Sequence, residues 1–302
     1  MKKHFIFILS TILCGMTIFS LCGCSNQSES SGTVKIAAKD FTEQYILGEI
    51  LKAVVEEYTD YDVELTSGIA GETSIIMPAM ENGDFDLYSE YDSTAWMTVL
   101  KKTMTSDIDD MHRHLDEIYS EQYQMDWLGY YGLDNKYSLA VQKDTAKQYQ
   151  LKTFSDLKKV ADKMVLGAGY EFFEREDGYD GLVDLYGFEF KDTKEMNLGL
   201  KYTALLDGQV DVITIYQTDG QAANPNVVVL EDDLGYFPPA LAGTLVRQES
   251  LEQFPQLEAA LLVLNDQIST EEMQAMNAAV DLEGKDSKKV AVEFLEAKGL
   301  IK

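Results

Sequence analysis

From Thr33 onward the chain alternates short apolar runs with amphipathic stretches at helical spacing, and that alternation restricts it to an α/β architecture. Residues 34–38 predict a buried strand. Asp40-Phe41-Thr42-Glu43 then predicts a capping-box-like helix start, after which Ile46, Leu47, Ile50, Leu51, Val54, Val55 and Tyr58 recur on one helical face. Residues 62–66 predict a second strand, 74–80 a short helix, and 85–88 a third strand ending in an aromatic and acidic loop. Two strands follow over 127–131 and 137–141, separated by Gly132-Leu133-Asp134-Asn135.

A second alternating block begins with a helix over 154–163 and a strand over 164–168. It continues with helices around 182–185 and 202–206, a strand over 210–216, and a run over 227–231 that leads into Tyr236-Phe237-Pro238-Pro239. A strand over 241–247 and three helical stretches, the last over 288–297, complete the chain. The expectation is a two-lobed clamp, with lobe 1 formed by residues 33–133 and 235–302 and lobe 2 by 134–234. Ligands of open α/β sheets bind beyond the carboxyl ends of the strands, and in two lobes those ends can face one another across a cleft.

The first residues carry Lys2-Lys3, an apolar run to Leu21 and then Gly23-Cys24, the plan of a secretory signal peptide over residues 1–23. Leu21-Cys22-Gly23-Cys24 resembles the lipobox of bacterial lipoproteins, which implies cleavage before Cys24 and a lipid on that cysteine. Cys22 departs from the usual small or aliphatic residue, and an uncleaved anchor helix is the competing reading of the same run. Residues 24–32 are small and polar and predict a flexible tether. All three cysteines lie at or before position 24, so the mature domain has no disulfide framework, no cysteine-ligated zinc and no cysteine nucleophile.

His112 and His114 are two apart, a spacing that does not share a helical face, and both are expected to be solvated rather than metal-binding. Without Lys2 and Lys3 the mature chain has 23 basic against 52 acidic residues, a charge that repels nucleic-acid backbones. No Gly-x-Ser-x-Gly elbow and no His-Glu-x-x-His motif is present, so the chain is expected not to be an enzyme and to need no cofactor.

Six ordered segments resemble the substrate-binding proteins of osmoprotectant ABC importers, the glycine betaine, carnitine and choline binders. They are Lys39-Asp-Phe-Thr-Glu-Gln-Tyr45, Asp86-Leu-Tyr-Ser-Glu-Tyr-Asp-Ser-Thr-Ala-Trp96, Gly132-Leu-Asp-Asn-Lys-Tyr137, Phe172-Phe-Glu-Arg-Glu-Asp-Gly-Tyr179, Tyr216-Gln-Thr-Asp219 and Phe237-Pro-Pro239. The resemblance implies the type II periplasmic-binding-protein fold and a quaternary ammonium ligand held between the lobes. A trimethylammonium group has no N–H to donate, so aromatic faces must select it, each contributing about 0.5 to 2 kcal/mol. On the matching positions Tyr91, Tyr137 and Tyr216 form the cage, and Lys39, Thr94 and Arg175 hold the carboxylate of a betaine.

A betaine or carnitine is therefore expected to bind better than choline, which would leave Lys39 and Arg175 unpaired. Where the family commonly has a further cage tyrosine after its paired prolines, this chain has Ala240. Three readings follow: a three-walled cage, Tyr236 or Phe237 swinging in, or a pocket enlarged for another cation or amino acid. The resemblance also implies separate permease and ATPase subunits, an extracytoplasmic lipid-anchored location and a monomeric binding protein.

Overall fold

The computed structural model describes residues 32–302 apart from 71, 104, 106 and 176, so Cys24 and the leader lie outside the described residues. Ten strands run in chain order: β1 (Thr33–Lys39), β2 (Asp62–Ile69), β3 (Leu87–Tyr91), β4 (Met125–Asp134), β5 (Tyr137–Gln142), β6 (Val165–Ala168), β7 (Asp192–Glu195), β8 (Val212–Tyr216), β9 (Val227–Leu230) and β10 (Leu241–Arg247). They form two five-stranded sheets, ordered β2-β1-β3-β10-β4 and β7-β6-β8-β5-β9.

The two sheets share one plan. In the first, β1 pairs in parallel with β2 and β3, and β10 runs antiparallel to both β3 and β4. In the second, β6 pairs in parallel with β7 and β8, and β5 runs antiparallel to both β8 and β9. Each antiparallel strand is the first one entered after the chain changes sheet. The chain leaves the first sheet between Asp134 and Tyr137 and returns between Leu230 and Leu241. The two crossings are bonded to one another, since the Asn135 amide donates to the Ala240 carbonyl (2.8 Å) and the Ala240 amide to Asp134 Oδ1 (2.8 Å).

Each sheet is covered on both faces, so its inner parallel strands β1, β3, β6 and β8 are mostly buried, whereas the edge strands β2 and β7 are largely exposed. On one face of the first sheet the helix Thr42–Tyr58 buries Ile46, Leu47, Ile50, Leu51, Val54 and Val55, joined by the helices Leu257–Leu262, Thr270–Asp281 and Ser287–Lys298. Its other face packs against the helix Thr73–Glu81 through Ile76, Met77 and Met80, with Trp96, Met111 and Tyr119. The second sheet buries Leu139, Val141, Leu166 and Val212 beneath Phe154, Leu157, Leu182 and Tyr186 on one side. Ala140, Ile213 and Ile215 meet Tyr202 and Leu205 on the other.

Four local expectations differ from the structure. The helix at Thr42 starts without a side-chain cap at Phe41. Asp40 accepts instead from the Tyr45 hydroxyl, and the Glu43 carboxylate turns into the interior. The third strand begins at Leu87 and ends at Tyr91, so Tyr91 closes a strand rather than sitting in a loop. Strand β7, Asp-Thr-Lys-Glu, has every residue exposed and shows no apolar pattern to read. Four helices rather than three follow β10, the first being Gln248–Gln253.

His112 is also not simply solvated. Its Nε2 lies 2.8 Å from the buried Asp92 Oδ2 and its ring stacks on Tyr130 at 4.2 Å, whereas His114 is half exposed. No helix among the described residues is long and apolar enough to cross a membrane.

Candidate ligand-binding cleft

The sheets meet with strand ends converging. Lys39 ends β1, Tyr91 ends β3 and Tyr216 ends β8, all at carboxyl ends of parallel strands, while Tyr137 opens the antiparallel β5 directly opposite Tyr216 in register. Thr94 follows β3 by three residues, and Arg175 follows the helix Tyr170–Glu174 that leaves β6. All six line one narrow cleft, together with Phe41, Glu72, Ser93, Asn135, Lys136, Glu171, Asp177, Pro238 and Ala240. All of the six except Tyr137 are buried.

The tyrosines are held by specific partners. Tyr91 donates its hydroxyl to Glu43 Oε1 (2.7 Å) and accepts from Gln44 Nε2 (3.2 Å). Glu43 also accepts from Asn135 Nδ2 (2.8 Å) and Asn277 Nδ2 (3.1 Å), and Asn135 Nδ2 lies 2.6 Å from Thr218 Oγ1. Glu43 thereby ties β3 to the first crossing, to the turn after β8 and to the helix Thr270–Asp281. Burial raises its carboxyl to about 6, against the lowering effect of these hydrogen bonds.

Tyr216 is anchored through Asp219. Its Oδ2 accepts from the Tyr216 amide (3.0 Å), the Tyr202 hydroxyl (2.9 Å) and Lys201 Nζ (2.7 Å). Tyr137 and Tyr216 lie with ring centroids 4.8 Å apart and hydroxyls 3.3 Å apart.

Each tyrosine already has one of the chain's own cations near its ring. Lys39 Nζ is 5.2 Å from the Tyr91 centroid, Arg175 Cζ 5.8 Å from Tyr137 and Lys201 Nζ 4.5 Å from Tyr216.

The basic residues are also partnered, which changes the expectation drawn from the sequence. Lys39 Nζ donates to Glu90 Oε1 (2.7 Å), and Glu90 additionally accepts from Thr73 and Tyr88 hydroxyls and the Tyr91 amide. Arg175 makes a two-pronged pair with Asp177, Nε to Oδ1 and Nη2 to Oδ2 at 2.7 Å each, and donates from Nη1 to Thr94 Oγ1 (2.7 Å). Burial opposes the guanidinium charge, and the Asp177 carboxylate more than restores it, so Arg175 stays protonated.

Choline would thus leave neither cation without a countercharge. Of the five N–H donors of Arg175, three are committed among the described residues.

The open question at Ala240 resolves into geometry. Phe237 lies behind Tyr137 (5.6 Å) among Phe154 and Phe172, and the Tyr236 hydroxyl donates to the Gly178 carbonyl. Neither lines the cleft. The additional aromatic that does is Phe41, stacked on Tyr216 at 5.7 Å and 29°. Phe41 lies inside a segment that the sequence resemblance covers, yet its position after a strand gives no sign of which way its ring turns. Glu72 and Glu171, also in the lining, come from opposite sheets and carry no sequence signal of their meeting.

Comparison with known proteins shows the family and agrees with the fold. Residues 32–297 match the family model for the substrate binding domain of ABC-type glycine betaine transport systems. The chain is 38% identical over 265 residues to an ergothioneine transport permease/ergothioneine binding protein of Helicobacter pylori strain G27. That alignment covers 88% of this chain and 47% of that protein, so the chain spans about half of its length. It is 36% identical over 301 residues to a carnitine transport binding protein of Listeria monocytogenes strain 10403S, covering 98% and 97% of the two chains.

Among solved structures, a glycine betaine/carnitine/choline ABC transporter protein superposes with a TM-score of 0.70 at 33% identity, covering 88% of this chain and 98% of that one. A clamp for an unrelated cation or amino acid is not favoured by these relatives.

Proposed function

The chain belongs to the family of substrate-binding domains of ABC-type glycine betaine transport systems, and on that premise we propose that it captures a trimethylammonium zwitterion of the betaine type between its two sheets. The supporting observation is the convergence of Tyr91, Tyr137, Tyr216, Lys39, Thr94 and Arg175, drawn from both sheets, on one closed cleft. In this reading the tyrosine faces take the ammonium group, and Arg175 turns its uncommitted N–H groups to the carboxylate while Asp177 holds it in place. Lys39, neutralised by Glu90, acts through its position against Tyr91 more than as a free charge.

The lobes divide at the two crossings, at residues 33–133 with 235–302 and at 134–234, and closure is a hinge motion about the paired Asn135 and Ala240 backbones. The chain works as a monomer, without a catalytic step, and delivers its ligand to a separate permease and ATPase. A lipid on Cys24 holds it at the outer face of the membrane and keeps it concentrated near that permease.

Titration calorimetry of the purified chain with glycine betaine, L-carnitine and choline tests the ligand reading. The zwitterions bind more tightly than choline if Arg175 reads the carboxylate; equal or tighter choline binding overturns that preference. Mass spectrometry of the membrane-extracted protein tests the anchor, which an N-terminus still carrying residues 1–23 would refute.

A further inference from the structure

Glu171 has acceptor capacity that the fold leaves unfilled. It lies on the helix Tyr170–Glu174 beyond the carboxyl end of β6, is 5% exposed, and lines the cleft beside Tyr137, Tyr216 and Arg175. Its Oε1 is buried and meets no hydrogen-bond donor among the described residues. The carboxylates paired with Lys39 and Arg175 are occupied: Glu90 by four donors and Asp177 by the Arg175 fork.

Glu72 approaches from the first sheet, where it precedes the helix Thr73–Glu81 with a left-handed φ of 55°, a conformation that costs a non-glycine residue energy and recurs where a side chain must be aimed. Its carboxylate packs over the Gly169–Glu171 turn, 3.5 Å from where a Cβ on Gly169 would stand. Burial, and then the Glu171 charge, keep the Glu72 carboxyl protonated up to about 8. Even with one proton offered by Glu72, a carboxylate has about four lone-pair positions, so Glu171 retains capacity for a ligand.

A buried acceptor of this kind is costly unless something donates to it on closure. Glycine betaine cannot, because it has a trimethylammonium group and a carboxylate but no N–H or O–H. We propose that Glu171, backed by Glu72, is a specificity-determining acceptor in the cleft, and that the substrate class is a trimethylammonium carboxylate bearing an additional O–H or N–H donor. This rests on the betaine reading of the site and narrows it.

The test uses four probes in calorimetry: L-carnitine and ergothioneine, which carry a hydroxyl and ring N–H donors, and γ-butyrobetaine and glycine betaine, which carry none. L-carnitine and γ-butyrobetaine differ only by the hydroxyl. At least one donor-bearing probe is expected to bind about tenfold or more tightly than both donor-free probes, a ratio typical of a hydrogen bond to a charged group. In Glu171→Met that ratio falls toward one, and in Glu171→Gln, which keeps an acceptor oxygen without the charge, it is intermediate.

Equal affinity for donor-bearing and donor-free probes in the native chain overturns the inference while leaving the betaine reading standing. A ratio unchanged in both variants does the same, and if Glu171→Met fails to fold, Glu171→Gln alone decides. Absence of binding by all four removes the betaine reading and this inference with it.

Discussion

Tyr137 separates the cage reading from plain packing most cleanly, because of the three candidate tyrosines it alone is partly exposed and, among the described residues, its hydroxyl meets only the Tyr216 hydroxyl (3.3 Å). Tyr137→Ala removes a ring face and is expected to weaken betaine binding at least tenfold, about 1.4 kcal/mol of cation–π and packing energy. Tyr137→Phe keeps the face and should stay within about threefold of the native affinity, since the lost hydroxyl contact is long. Calorimetry on both variants checks this, and equal loss in the two would place the tyrosine's role in its hydroxyl.

That the six candidate residues would meet in one cleft was legible because each lies within a segment with a family pattern and close to a strand or helix end. Their countercharges were not. Glu90 is 51 residues from Lys39 in the chain, and only the parallel pairing of β1 with β3 brings them together. Asp177 is two residues from Arg175, but a sequence does not distinguish a fork that orients an arginine from a solvated ion pair.

At the scale of elements, the carboxyl end of β8 depends on Asp219. One carboxylate oxygen takes the Tyr216 amide, the Tyr202 hydroxyl and Lys201, whose side chain is 5% exposed. Asp219→Ala strands the lysine charge and frees the strand end, and should cost about 2 to 3 kcal/mol in urea unfolding, below a fully buried pair because Asp219 keeps some solvent. Ligand affinity should fall with it, as Tyr216 loses its fixed orientation; a variant as stable as the native chain would show that Asp219 is dispensable to β8.

The strands most easily read were those richest in apolar residues, β1, β8 and β10. β3 was placed too early because its buried residues include Ser89 and Glu90, polar groups satisfied by Tyr131, Thr73, Tyr88 and Lys39 from elsewhere in the fold. β7 escaped for the opposite reason, as an edge strand whose side chains all face solvent. The doubling of one sheet plan, with β5 and β10 each entering after a crossing, was visible only as two alternating blocks; strand order depends on contacts that local pattern does not encode.

For the whole molecule, charge sets the pH response. The chain's formal net charge is −27, and the two carboxyls with the most consequential positions, Glu43 and Glu72, both have raised pKa values, to about 6 and about 8, with burial as the leading cause. A carboxyl whose folded pKa exceeds its unfolded value binds more protons when folded. Its contribution therefore falls as pH rises from the unfolded value near 4.5 through the folded one, and is most favourable on the acid side.

For Glu43 the difference corresponds to about 2 kcal/mol lost between roughly pH 4.5 and 6. Glu72 extends the same slope toward pH 8, and self-repulsion of the acidic surface adds to it. The thermal midpoint at fixed salt is thus expected to rise as pH is lowered from 8.5 to about 5, through the Glu72 region first and the Glu43 region last. Glu72→Gln should flatten the upper part of that curve while leaving the Glu43 region in place. A native midpoint that is constant or falls over this range would mean that these two carboxyls are ionised at little cost. The Glu43 junction between β3, the first crossing and the helix Thr270–Asp281 would then be a charged one at every working pH.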